Sequence, residues 1–158
     1  MAADALEFIQ EDHDRFRELL DRYEEIPVDH HAEKRALMDQ LIVAVVQHSA
    51  MEERAFYPFV MDQLPDAADD VREEMEEHHV IEVIMAELRR LDAAHEQFDA
   101  KVEVFAENLL HHLHEEEDEL FPILRERLSE DQLRQLHDDL AAAKADAPTE
   151  PDPERVGG

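Results

Sequence analysis

Two stretches of the chain carry the same chemistry at the same spacing. His48 is followed by Glu52 four residues on and by Pro58 ten residues on, and His112 is followed by Glu116 and Pro122 at the same intervals. On a helix, residues i and i+4 lie one above the other. Each stretch therefore sets an imidazole beside a carboxylate on one face. Two such faces turned together would offer two nitrogens and two carboxylates to metal at one point. The chain has no cysteine, which removes thiolate sites, disulfides and cysteine nucleophiles. Imidazole and carboxylate donors suit iron, manganese or zinc.

The elements that must position these groups are helices. The 158 residues include only two Gly and no Trp, and 44% are hydrophobic, without the period-two alternation of strands. Periodicity and punctuation predict five helical segments. The first runs from about Ala3 to Glu25, with Leu6, Ile9, Phe16, Leu20 and Tyr23 on one stripe, and Pro27 closes it. The second runs from Asp29 or His31 to Leu64, turning Leu37, Leu41 and Val45 inward, with a kink or break expected at Pro58. The third follows Pro65, with Asp66 as a possible cap, and carries Val71, Met75, Ile81, Met85 and Leu88 inward to about Leu91. The fourth, from roughly Glu96 to Leu128, buries Phe98, Val102, Phe105 and Leu109 and meets Pro122 near its end. A short fifth helix opens on Ser129-Glu130-Asp131-Gln132, the form of a capping box, and continues with Leu133, Leu136 and Leu140.

Four long helices with short connections make an all-α, antiparallel, up-down four-helix bundle. The expected organisation is a bundle over 1–128, an accessory helix over 129–143 and a disordered acidic tail over 144–158. The two halves look like a duplicated helical hairpin. Each has a His on its first helix and His-x-x-x-Glu with Pro on its second, at intervals of 35 residues from His13 to His48 and 34 from His78 to His112.

Of the eleven His, four fall on apolar seams. His13 continues Leu6, Ile9, Phe16 and Leu20; His48 follows Leu41 and Val45; His78 lies between Met75 and Ile81; His112 and Glu116 extend the series from Phe98 to Leu109. A single inward His is ordinarily a satisfied core residue. An unpaired Glu on such a seam is not, because its burial costs on the order of several kcal/mol. Glu52 and Glu116 therefore require a partner. Counted from the connections at about 1.5 Å per residue, the six side chains His13, His48, Glu52, His78, His112 and Glu116 fall within a few Å of one depth. His79, His111 and His114 point elsewhere on this reading, and His30, His31, His95 and His137 lie in loops or on polar faces.

With Glu11-Asp12-His13, His48-x-x-x-Glu52-Glu53 before Tyr57-Pro58, Glu76-Glu77-His78, and His112-x-x-x-Glu116-Glu117 before Phe121-Pro122 in view, residues 5 to 127 resemble the hemerythrin-like, or HHE cation-binding, family. The resemblance implies two iron ions in a non-haem di-iron centre, bridged by oxo or hydroxo. His13, His48, His78 and His112 would be terminal ligands and Glu52 and Glu116 bridges. It further implies a small diatomic ligand (oxygen or nitric oxide) or peroxide as the reacting partner. Oxygen-carrying hemerythrins have a second His one turn after the third-helix ligand. Here that position is Glu82, either a solvated residue flanking the seam or a seventh ligand. The smaller nitrogen count favours redox turnover or iron handling over reversible oxygenation. Catalase-like peroxide removal, ferroxidase activity, iron storage and iron–sulfur centre repair are the enzyme and handling alternatives; a metal-free acidic bundle is the structural one. Tyr57 is open between a packing and a site role.

A formal net charge of −28 from 43 acidic and 15 basic residues argues against nucleic acid as a partner, and the scarcity of Lys would suit high salt. The first residues lack a signal-peptide pattern, and the longest apolar run, Leu41 to Val46, is too short for a membrane span. The expectation is a cytoplasmic protein.

Overall fold

The computed structural model describes residues 4–155, and their regular structure is helical throughout. Helix α1 (Ala5–Glu25) starts where the Asp4 carboxylate accepts from the backbone N–H groups of Leu6 and Glu7, filling donors that the first turn leaves open. Helix α2 (His31–Met51) passes through a π turn, Glu52–Phe56, into α3 (Tyr57–Gln63). After a 3-10 turn at Pro65–Ala67 comes α4 (Ala68–Arg90). Helix α5 (Phe98–Glu115) passes through a second π turn, Glu116–Leu120, into α6 (Phe121–Arg127). The four rods α1, α2–α3, α4 and α5–α6 form the bundle, and α7 (Glu130–Ala145) lies across α1 and α2.

The interruption expected at Pro58 is a π turn that begins at Glu52, and a second, ahead of Pro122, begins at Glu116. Proline has no N–H and its ring crowds the carbonyl four residues back. The chain widens by one residue ahead of it, and the N–H of Tyr57 reaches the carbonyl of Glu52, as that of Phe121 reaches Glu116. The capping box at Ser129 forms as predicted. Asp66 does not cap: the 3-10 turn intervenes, α4 starts after Ala67, and the exposed Asp66 carboxylate accepts from Arg127 instead.

Two apolar clusters fill the interior. One holds Phe16, Leu20, Leu41, Val45, Ile81, Met85, Phe105 and Leu109. The other holds Leu6, Ile9, Phe56, Tyr57, Val71, Leu124, Leu133, Leu136 and Leu140. Met75 is only partly buried, and Glu74 beside it takes the inward position. The expectation of a disordered tail is corrected over the described residues 146–155. This stretch is laid along α4 by Arg89 on Glu150, the Asp152 N–H on Glu82, and His79 Nδ1 on the Pro153 carbonyl. Its acidic, proline-containing composition gave no sign that α4 offers it fixed partners. Among the described residues no helix is long and apolar enough to cross a membrane.

Candidate metal centre

The seam between the two apolar clusters holds the six polar residues. On α1, His13 lies between Ile9 of one cluster and Phe16 of the other; on α4, His78 lies between Val71 and Ile81 in the same way. The π turns carry Glu52 and Glu116 one helical turn beyond His48 and His112. None of the six side chains' residues is more than 2% exposed.

They form two groups that share both carboxylates. His13, His48, Glu52 and Glu116 make one; Glu52, His78, His112 and Glu116 make the other, and in each group one donor atom per residue lies within 4.8 Å of the rest. His13 Nε2 stands 3.2 Å from Glu116 Oε1, and His48 and His78 Nε2 each stand 3.2 Å from Glu52 Oε1. Yet His13 Nε2, His48 Nε2, both Glu52 oxygens and Glu116 Oε1 are buried without a hydrogen bond. Orphaned buried polar atoms are rare and cost about 1–3 kcal/mol each, more when charged. Here they are near one another without being aimed at one another, and a cation between them satisfies all at once. The donor set and these orphans fit a metal.

The outer nitrogens explain how the rings are held. His48 Nδ1 donates to Asp12 (2.8 Å), His78 Nδ1 to Glu53 (2.8 Å), His112 Nδ1 to Glu77 (3.0 Å) and His13 Nδ1 to Glu117 (2.6 Å). A carboxylate only accepts, so each ring donates its Nδ1–H outward. A neutral ring then turns its Nε2 lone pair to the centre, where the Nε2 atoms of His78 and His112 stand 2.9 Å apart with a cation or a proton needed between them. The four pairs close a ring: α1 supplies the acid for α2, the first π turn for α4, α4 for α5, and the second π turn for α1. Such partners orient ligands and raise their basicity. The four acids lie within the sequence motifs, but their pairing with the imidazoles is not legible there.

Charge is concentrated here. Burial alone would lower the imidazoles, but Glu52 and Asp12 push His48 up to about 10. Against the same burial, Glu52 and Glu53 push His78 up to about 9, and Glu116 leads in pushing His112 up to about 10. Burial would raise Glu117, but His13 and Arg17 hold it at about 2. For a His whose folded value is raised, the contribution to stability is full below its ordinary value of 6.5 and is lost as pH rises through the folded value. The metal-free protein is therefore expected to lose stability as pH goes from about 6.5 to about 10, while the metal-loaded protein, whose rings are neutral throughout, stays nearly level. Urea midpoints of chelated and loaded samples across that window check this; a chelated midpoint that holds or rises contradicts the arrangement.

Three further acidic or phenolic groups stand around the centre. Tyr57 is fully buried, with its hydroxyl donating to Glu116 Oε2 at 2.9 Å and lying 3.0 Å from His78 Nε2 and 3.3 Å from Glu74 Oε2. Its counterpart Phe121 stacks on His13 at 6.0 Å, so only one of the two groups has a phenol. Glu74, missed in the sequence, is buried, and burial together with Glu116 pushes it up to about 11. Glu82 is neither solvated nor part of either group. It is fully buried, and its carboxylate is taken by Arg155 and the Asp152 N–H. His79 faces Pro153, while His111 and His114 are exposed beside acids. His30, His31 and His95 are exposed, and His137 meets Phe8 edge-on.

The model of the hemerythrin HHE cation binding domain matches residues 4–124. The chain belongs to this family. It also shares the fold of a crystal structure of a hemerythrin HHE cation binding domain-containing protein from Mycobacterium kansasii, with 24% identity and a TM-score of 0.78 over 90% of this chain and 86% of that one. Among curated proteins none matches the chain. As a hemerythrin HHE domain it has a buried His and Glu cluster compatible with holding a cation, in the seam where its two apolar clusters meet.

Proposed function

We propose that this hemerythrin-like chain binds two iron ions, with His13 and His48 at one, His78 and His112 at the other, and Glu52 and Glu116 shared between them. The observation that carries the reading is the set of buried, unbonded atoms at the centre, His13 Nε2, His48 Nε2, both Glu52 oxygens and Glu116 Oε1, whose carboxylate members belong to both adjoining groups. Two cations also balance the charge of the two buried carboxylates. Bound iron would supply a redox couple for reaction with oxygen, nitric oxide or peroxide.

A second reading, a redox enzyme acting on peroxide, is favoured by Tyr57 and Glu74. Both stand at the His78 and His112 group, and burial with the nearby carboxylates keeps both protonated. They would place a proton source on one side of the centre.

Metal analysis of aerobically purified protein is expected to give about two iron per chain, with near-ultraviolet charge-transfer absorption. Mixing the reduced protein with oxygen, and the oxidised protein with peroxide, separates the readings. A reversible coloured adduct supports binding or sensing, and steady oxygen release from peroxide supports the enzyme. Absence of iron and of any equivalent bound metal overturns both.

A further inference from the structure

Three of the four acids that hold the imidazoles are themselves held by a cation, and two of those cations come from beyond the bundle. Arg17, on α1, forks onto Glu117 with two contacts of 2.9 Å. Lys144, in the last turn of α7, reaches Asp12 at 2.6 Å. Arg155 donates to Glu53 at 3.0 Å and pairs with the buried Glu82. The fourth acid, Glu77, has exposed His111 at 3.4 Å. The segment between Lys144 and Arg155 is tied down along its length by Arg54 on the Asp146 carbonyl, Arg89 on Glu150 and the Asp152 N–H on Glu82.

We propose that residues 144–155 form a clasp that completes the centre, with Lys144 and Arg155 as positioning residues for His48 and His78. The clasp serves one imidazole in each of the two groups. Each cation fixes its acid and offsets that acid's charge. Without the cation, the acid pulls harder on the Nδ1 proton, the imidazole becomes a stronger donor, and the surroundings gain a negative charge. All three changes favour the higher oxidation state of a bound ion. The clasp therefore raises the reduction potential. The inference rests on the di-iron reading.

The test uses the full chain loaded with iron. Arg155→Gln and, separately, a chain ending at Ala145 are expected to shift the reduction potential to more negative values. Lys144→Gln should act in the same direction. Arg155→Lys should restore most of the potential, since it keeps the charge, and Arg134→Gln, at an exposed pair on α7, should leave it unchanged. A purely structural tail would alter melting without moving the potential. Lys144 is partly exposed, so its variant keeps the test available where Arg155→Gln loses helical signal. A wild-type potential in Arg155→Gln and Lys144→Gln, with the wild type loaded, overturns the clasp. A wild type that takes up no iron overturns the di-iron reading itself, and the clasp with it.

Discussion

Replacing Glu52 and Glu116 together by alanine is expected to remove nearly all bound iron while leaving the helical content in place. Each carboxylate belongs to both donor groups, so the double change takes every shared donor and every negative charge from the interior of the centre. Four imidazoles would remain around cations with no buried anion to balance them, a strongly unfavourable state at low dielectric. Losing one outer partner of a ligand already costs about 10–100-fold in metal affinity, and two shared donors cost more than one partner. Helicity should survive, because the apolar clusters on either side are untouched. Glu119→Ala, at an exposed position of the same π turn as Glu116, is the control and should keep its metal. Iron per chain, measured after desalting, decides the matter; wild-type content in the double variant refutes the shared role.

The six central residues were legible because burial and helical period constrain each other. An imidazole or carboxylate that keeps the three-four rhythm of Leu, Ile and Phe has to face inward, and equal offsets from the connections put the faces at one depth. The acids at Nδ1 were half legible. Asp12, Glu53, Glu77 and Glu117 each neighbour a seam residue, and at 3.6 residues per turn a neighbour points about 100° away, toward the adjoining helix. Which helix adjoins is a property of the bundle, so the cyclic pairing emerged only in three dimensions. Tyr57 and Glu74 are harder still. Tyr57 follows a π turn that shifts its phase by one residue, and nothing in the local pattern marks that shift except Pro58. The tail was misread for a related reason. Its composition describes a segment with little to bury, whereas what holds it is a set of charged and backbone contacts to Glu82, Arg89 and Glu53. Those partners are far away in sequence.

Removing the metal is expected to lower the melting temperature by on the order of 15 °C or more. An ion that binds the native state alone adds RT ln(1 + [L]/Kd), about 4 kcal/mol at a thousandfold excess over Kd. Two such sites contribute roughly 8 kcal/mol, and in a domain of this size each kcal/mol moves the midpoint by about 2–4 °C. Part of that binding energy comes from satisfying the oxygens of Glu52 and the Nε2 atoms of His13 and His48, which have no hydrogen bond without a cation. Calorimetry of the same preparation before chelation, after chelation, and after return of ferrous iron under anaerobic conditions checks both the drop and its reversal. Recovery with iron but not with magnesium should follow from the imidazole donors, because magnesium prefers an all-oxygen shell. A chelated protein melting within a degree or two of the loaded one would mean that the six residues are satisfied by protons alone, as a hydrogen-bonded polar layer between two apolar clusters. The same result would leave the two π turns as responses to Pro58 and Pro122, without a part in presenting carboxylates to a cation.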